Sequence, residues 1–552
     1  MSTPQAADTS SSRRYDVIVV GAGFAGLYLL YRLRKMGLSV IALEAGDDVG
    51  GTWYWNRYPG ARCDVPSLQY SFSFSPELQQ EWTWSEKYAA QPEILSYIQH
   101  VADRFDLRGM IRFETRVEAA HYDEAGNHWA VRTDRGDTYE GRYCIMATGS
   151  LSASRLPDIE GIETFEGRML HTGRWPQEGV DFTGRKVGVI GTGSSAVQAI
   201  PQIAAQAENL TVFQRTPNFA VPARNRLLSD DEVADWKENY DAHRDRARQT
   251  RSAMLYEYGD KSALDVSEEE RRTELERRWR NGGSNFLYAY NDILRNEQSN
   301  ALVADFIREK IADIVQDPDI VQKLTPRDYP VGSKRICVAT DYYETYNRPN
   351  VYLADLRSEP IERVTAHSVV TSAGEYPIDD LVMATGFDAM TGALSAIDIR
   401  GAEGEVLKEK WAAGPRTYLG MMTAGFPNLF MVNGPGSPSV LSNMVMSVEQ
   451  NVDWIMDCIS ALGAGPDALI EADRAAEDAW VDHVNEVAAP TLYGKAASWY
   501  MGANVPGKPR VFMPYVGGWS TYAAKTRDVA ERGYEGFHIG GRSAAPTTAS
   551  AS

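Results

Sequence analysis

The chain has 552 residues, 43% hydrophobic, 24% charged and 10% aromatic, which is the composition of a folded protein of several domains and excludes a fibrous or wholly disordered chain. Fifty-six basic against 75 acidic residues leave a formal net charge of −19, which argues against nucleic acid or an anionic membrane as partner but leaves room for an anionic ligand in a local basic pocket. Cys63, Cys144, Cys337 and Cys458 lie far apart with no CxxC pair, so neither a redox dithiol nor a metal site is expected, and buried thiols in a reducing cytoplasm are.

Residues 1–14, rich in Ser, Thr and Ala, read as a disordered leader. Arg13 and Arg14 precede an uncharged stretch that imitates a secretory signal, but the stretch is shorter than the ~20 apolar residues of a membrane span. It reads better as strand, glycine turn and helix, in YDVIVVGAGFAG at 15–26. There Gly21 allows a tight turn, Gly23 a close approach of pyrophosphate, and Gly26 close packing of helix on sheet. Glu44 ends the next apolar strand, SVIALE, where a carboxylate accepts hydrogen bonds from an adenosine ribose. The strand YCIMATG at 143–149 ends in a small-residue turn, as strand tips facing a cofactor do.

The pattern returns in RKVGVIGTGSSA at 185–196, with Gly191, Gly193 and Ala196 as its fingerprint and Thr192, Ser194, Ser195 and Gln198 around it. Its second strand, LTVFQRT, ends in Gln214, Arg215 and Thr216 instead of an acid. A carboxylate would repel a 2′-phosphate, whereas Arg215 can fork onto it and Thr216 can donate a hydroxyl, so NADPH is expected over NADH. Residues 226–330 are dense in charge and helical punctuation, including Ser267 with Glu270 as a capping box. DLVMATGFD at 380–388 echoes the first strand tip, and residues 541–552 read as a disordered tail.

The expected architecture is α/β, with two Rossmann-like dinucleotide-binding domains and a helical insertion. The first domain takes residues 15–155 and 390–540, the second 156–225 and 331–389, and the insertion 226–330. Two dinucleotide sites in one chain point to electron transfer from NADPH to a bound flavin, FAD. The missing dithiol removes the disulfide reductases.

FEGRMLHTGRWP at 165–176 matches the fingerprint of the Baeyer–Villiger monooxygenases through Phe165, Gly167, His171, Trp175 and Pro176. The related N-oxidising flavin monooxygenases usually carry Phe or Tyr where Trp175 stands. GTWYWNRYPGARCD at 51–64, KR at 334–335, GPGSPS at 434–439 and SWYMGANVPGKPRVFMPYVGG at 498–518 are similar to the same family. The resemblance covers nearly the whole chain and is strongest to the single-chain phenylacetone and steroid types.

That resemblance implies the following expectations. NADPH reduces FAD, O2 forms a C4a-peroxyflavin, and a cyclic, aryl or steroid-like ketone becomes an ester or lactone, with sulfoxidation as a side activity. Arg335 steadies the anionic oxygen and Asp64 steers Arg335. Lys334 and Trp499 join Arg335 on the NADP side. Thr52, Trp53, Tyr54, Trp55, Asp64, Tyr70, Val117 and Met444 line FAD. The linker fingerprint with His171 couples NADPH binding to domain position. Ser439, Val440 and Leu441 form the substrate loop, with Val440 matching the steroid type. Ketone and O2 are the expected small-molecule partners, with no obligate protein partner. An N- or S-oxidising monooxygenase and a flavin-binding redox sensor without turnover are the competing readings.

Overall fold

A computed structural model describes residues 13–462 and 467–540; residues 1–12 of the expected leader and the expected tail from 541 onward lie outside the described residues. The first sheet holds β1 (Arg13–Val20), β2 (Val40–Leu43), β3 (Ile111–Arg112), β4 (Val117–Asp123), β5 (His128–Thr133) and β6 (Thr138–Met146). β6, β1, β2 and β3 run parallel, while β4, β5 and β6 form an antiparallel meander. Two late strands, Asp398–Arg400 and Leu429–Met431, return to pair with β4 and β6.

The β-branched run of β1 is buried on both faces, which is why it reads as continuously apolar. Val17 and Val19 join the core under the helices, whereas Ile18 and Val20 join a second core with Trp129 and Val131 of the meander. Arg13 and Arg14, expected within the leader, are strand residues. β1 already begins at Arg13, because Arg13 donates to the Tyr139 hydroxyl at 3.1 Å and Arg14 pairs with Glu140 at 2.6 Å.

The second sheet holds β7 (Arg168–His171), β8 (Lys186–Ile190), β9 (Asn209–Gln214), β10 (Val351–Asp355) and β11 (Asp380–Met383). It is parallel throughout, in the order β10-β9-β8-β11-β7. Asp380, 0% exposed at the start of β11, is ionised inside the protein because Arg168 and Arg185 reach it at 2.6 and 2.9 Å. The fingerprint at 165–176 is therefore no free linker, since β7 is the sheet's edge strand, paired residue for residue with β11.

Between β9 and β10 the chain leaves the sheet for α1 (Asp230–Arg248), α2 (Glu268–Asn281), α3 (Glu297–Ile314) and α4 (Pro318–Leu324). Ser267 caps α2 by accepting the Glu270 amide, but the box is not reciprocal there, because Lys261 takes the Glu270 carboxylate. The complete capping box starts α1, at Ser229 and Glu232. Among the described residues no helix is long and apolar enough to cross a membrane.

Candidate active site

Each glycine fingerprint opens a helix that lacks a capping side chain. The helices Phe24–Lys35 and Ser194–Ala204 start behind Gly23 and Gly193 with no side-chain hydrogen bond to their first turns. Ser75, Ser229, Ser267, Asn296, Asp317 and Asp473 supply that bond to six other helices, whereas Gln91–Arg104 and Trp519–Glu531 also lack it. Uncapped N–H groups at a helix N-terminus fit a phosphate. A Cβ on Gly193 would meet nothing within 4 Å, so that helix end faces open space, whereas a Cβ on Gly26 would lie 2.1 Å from the Gly21 carbonyl oxygen. Gly21 and Gly191 turn with φ of +104° and +114° against the tips of β6 and β11, at Ala147 and Ala384.

Glu44 is 5% exposed, and its carboxylate accepts the Ala22 and Gly46 amides, both at 2.8 Å. Burial lifts its pKa above the ordinary value although both amides favour the ionised form. These bonds hold the acid beside the first glycine loop, where an adenosine ribose fits. The residues present thus suit FAD at the first fingerprint and NADP at the second.

Arg335 and Asp64, 271 positions apart, meet as a fork. Nε and Nη2 donate to the two carboxylate oxygens, both at 2.7 Å, and Nη1 donates to the Val440 carbonyl at 2.7 Å. Burial alone would raise Asp64; the Arg335 charge and its hydrogen bonds overturn this and hold the carboxyl below the ordinary value. Burial likewise opposes charge on Arg335, and Asp64 outweighs it. A cation aimed by an ionised acid and tied to the 439–441 turn can balance negative charge on a reacting oxygen.

Lys334 lies over the Tyr329 ring, 4.5 Å from its centroid, and within electrostatic reach of Arg215 just past the end of β9. Burial first, then the charges of Arg215 and Arg357, push its pKa down to about 8. Arg357, absent from the expected set, belongs to this cationic cluster: its Nε donates to the Arg215 carbonyl at 3.0 Å, and Asp328 balances its charge. Gln214, at the place of the usual acid, is 0% exposed and donates to the Lys323 carbonyl.

Other expected residues have partners within the protein. Gln198 accepts from the Tyr58 hydroxyl at 2.8 Å and donates to the Arg62 carbonyl at 3.0 Å, so its amide clamps the 51–64 stretch onto the second sheet's helix. Thr192 donates to the Thr216 carbonyl at 2.7 Å, and the Ser194 hydroxyl lies 3.6 Å from the Cys337 sulfur. Thr52, Trp53, Tyr54 and Trp55 form one helical turn, in which Trp53 donates to Tyr70 and Tyr54 to Asp47. Val117 begins β4, Met444 begins the helix Met444–Leu462, Ser439 and Leu441 bound a short turn, and Trp499 begins another.

His171 ends β7, and its Nδ1 accepts the Gly173 amide at 2.9 Å, which leaves the ring proton on Nε2. Burial holds its pKa below the ordinary histidine value, which favours the neutral ring. Trp175 is 5% exposed, and its amide donates to the Trp55 carbonyl across the domains at 3.3 Å. This geometry suits positioning, not proton transfer. His171→Gln is expected to slow flavin reduction or uncouple turnover without a new pH dependence. Stopped-flow reduction across pH checks this, and rescue by added imidazole would reverse the assignment.

The family model described as pyridine nucleotide-disulphide oxidoreductase matches residues 18–233. A Baeyer-Villiger monooxygenase of Pseudooceanicola batsensis is 43% identical over 94% of this chain and 95% of its own. A phenazine N-monooxygenase of Lysobacter antibioticus is also 43% identical, over 95% of this chain and 96% of its own. Among solved structures, an oxidized steroid monooxygenase bound to NADP is 52% identical with a TM-score of 0.91, covering 95% of this chain and 99% of that one. A closed cyclohexanone monooxygenase is 42% identical with a TM-score of 0.94, covering 96% and 100%.

Proposed function

The chain belongs to the Baeyer–Villiger monooxygenases, NADPH-dependent enzymes that bind FAD, and from that premise we propose that it converts cyclic, aryl or steroid-like ketones to esters or lactones. Reduced FAD supplies the chemistry that activates O2. The protein's own part is to bind, aim and exclude. The uncapped helix end behind Gly23 and Glu44 would hold FAD, the helix end behind Gly193 would hold the pyrophosphate of NADPH, and Arg215, Thr216 and Lys334 would take its 2′-phosphate. Asp64 holds Arg335 charged and pointed, so that negative charge developing on the ketone oxygen meets a fixed cation. The 439–441 turn, anchored through the Val440 carbonyl, forms one wall for the substrate. We assign the domains as 15–155 with 390–540 and 156–225 with 331–389. We place the enzyme in a reducing cytoplasm, a reading supported by four free, buried cysteines.

The observation that carries this reading is the two-point Asp64–Arg335 fork tied to Val440. A rival reading has support of its own, since a relative of equal identity is named for N-oxidation. The test is the purified yellow protein with NADPH in air, against cyclic, aryl and steroid ketones and a phenazine. Ketone-stimulated NADPH loss with one oxygen added to the ketone is expected. N-oxide without ester would select the rival, and no stimulation by any compound would leave a flavin-binding sensor.

A further inference from the structure

Tyr70 follows the helical turn Ser67–Gln69, and residues 70–75 lie in neither helix nor strand, so their backbone groups need partners from outside the segment. α1 supplies one of them. Arg244, 2% exposed, donates through Nη1 to the Gln69 carbonyl at 2.8 Å and through Nη2 to the Ser71 carbonyl and hydroxyl at 2.9 and 2.7 Å. It thereby grips the chain on both sides of Tyr70. The Gln69 carbonyl also accepts Asn443 Nδ2 at 2.7 Å, and the Gln69 side chain accepts the Leu255 amide at 2.7 Å. Tyr70 itself accepts from Trp53 Nε1 at 3.2 Å, and its ring lies 6.1 Å from that of Trp53 and 5.4 Å from that of Phe24. Phe24 is the first residue of the helix behind Gly23.

Burying a guanidinium is costly, and packing alone would be served better by an apolar side chain. What an apolar side chain cannot do is hold three oxygens of an irregular segment from one point. We propose that Arg244 is a positioning residue for the flavin site: it fixes Tyr70 against Trp53 and Phe24, beside the first glycine loop. α1, which is part of the insertion in sequence, then completes the wall of a site built by the first domain. The inference rests on the function proposed above, in which Trp53 and Tyr70 line FAD.

Arg244→Met keeps the bulk and removes the donors, and Arg244→Lys keeps the charge without the fork that spans Tyr70. In the holoenzyme Arg244→Met should raise the Kd for FAD about tenfold or more, as expected when hydrogen bonds to a charged group are lost. It should also change the visible circular dichroism of the bound flavin, and Arg244→Lys should restore little of either. The Kd for NADP+ should be unchanged; a parallel rise would overturn the proposal, because general loosening would explain both. A lower Tm with unaltered flavin dichroism would overturn it too, since Arg244 would then serve the fold alone. Ser71→Ala removes a single contact and should change the dichroism in the same sense but less. If Arg244→Met does not fold, unaltered dichroism and FAD affinity in Ser71→Ala refute the proposal. Tyr70→Phe should alter the same bands, with no further change on adding Arg244→Met; additive changes would refute action through Tyr70. None of these readings needs a ketone, so a wild type that binds FAD and oxidises no ketone would end the function reading alone.

Discussion

Arg335→Ala is expected to keep its FAD, to be reduced by NADPH at a lowered rate, and to form no ester. Hydride transfer needs alignment of two cofactors, which Arg335 aids only from the NADP side, whereas attack on the ketone needs the cation itself where the oxyanion develops. Loss of one such preorganised stabiliser costs about 2.7–4 kcal/mol, or 10²–10³ in rate. Most of the O2 consumed should then leave as H2O2. Arg335→Lys should recover little, because one ammonium cannot donate along the three directions that Asp64 and Val440 occupy. Asp64→Ala should be milder, leaving the charge present but unaimed. Peroxide and ester measured against NADPH consumed check all three. Ketone conversion by Arg335→Ala near the wild-type rate would remove the active site from this fork.

Arg215→Ala is expected to raise the KM for NADPH tenfold or more while leaving NADH use unchanged. A hydrogen bond to a charged group is worth ~1.5–3 kcal/mol, and ~1.4 kcal/mol is already a factor of ten. The cluster also predicts a pH effect. Lys334, pushed down to about 8 by burial and by Arg215 and Arg357, is charged below that pH and loses its proton above it. The KM for NADPH should therefore begin to climb above pH ~8 in the wild type. Removing Arg215 takes away a repelling charge, so the climb should start at higher pH in the variant, although binding is weaker at every pH. Profiles of KM against pH for both proteins test this, and coincident limbs would separate Lys334 from the phosphate site.

Both glycine fingerprints are legible in the sequence because their constraints are local. A turn at positive φ, a helix end with no cap and a Cβ that has no room at Gly26 all fall within a few residues. Arg335 and Asp64 are different: each is an ordinary loop residue, and only resemblance placed them together across 271 positions. Gln198 also has partners that its place in the fingerprint does not reveal, Tyr58 and Arg62, 140 and 136 residues away. β7 is short and half exposed, so RMLH shows no strand period until β11 pairs with it. The hairpin strands Ile361–Val364, Ser368–Thr371 and Gly374–Pro377 escaped for the same reason, being four residues each.

The helical insertion belongs to the second half of the chain by topology and to the first half by charge. Arg244 of α1 is 2% exposed, and its guanidinium donates to the Gln69 and Ser71 carbonyls at 2.8 and 2.9 Å and to the Ser71 hydroxyl at 2.7 Å. Glu449, buried on the helix Met444–Leu462, balances that charge from behind Ser73, which it grips at 2.6 Å through both carboxylate oxygens. Pulling α1 off the 69–73 segment would strand a cation in an apolar interior, a step that costs several kcal/mol. The insertion is therefore divided. α1 is tied by Arg244 to the flavin half, whereas Trp279, Val303, Ile307 and Leu324 of α2–α4 share one core with Val187, Val189 and Leu210 of the second sheet. Any swing of one sheet against the other would part α1 from the rest of the insertion.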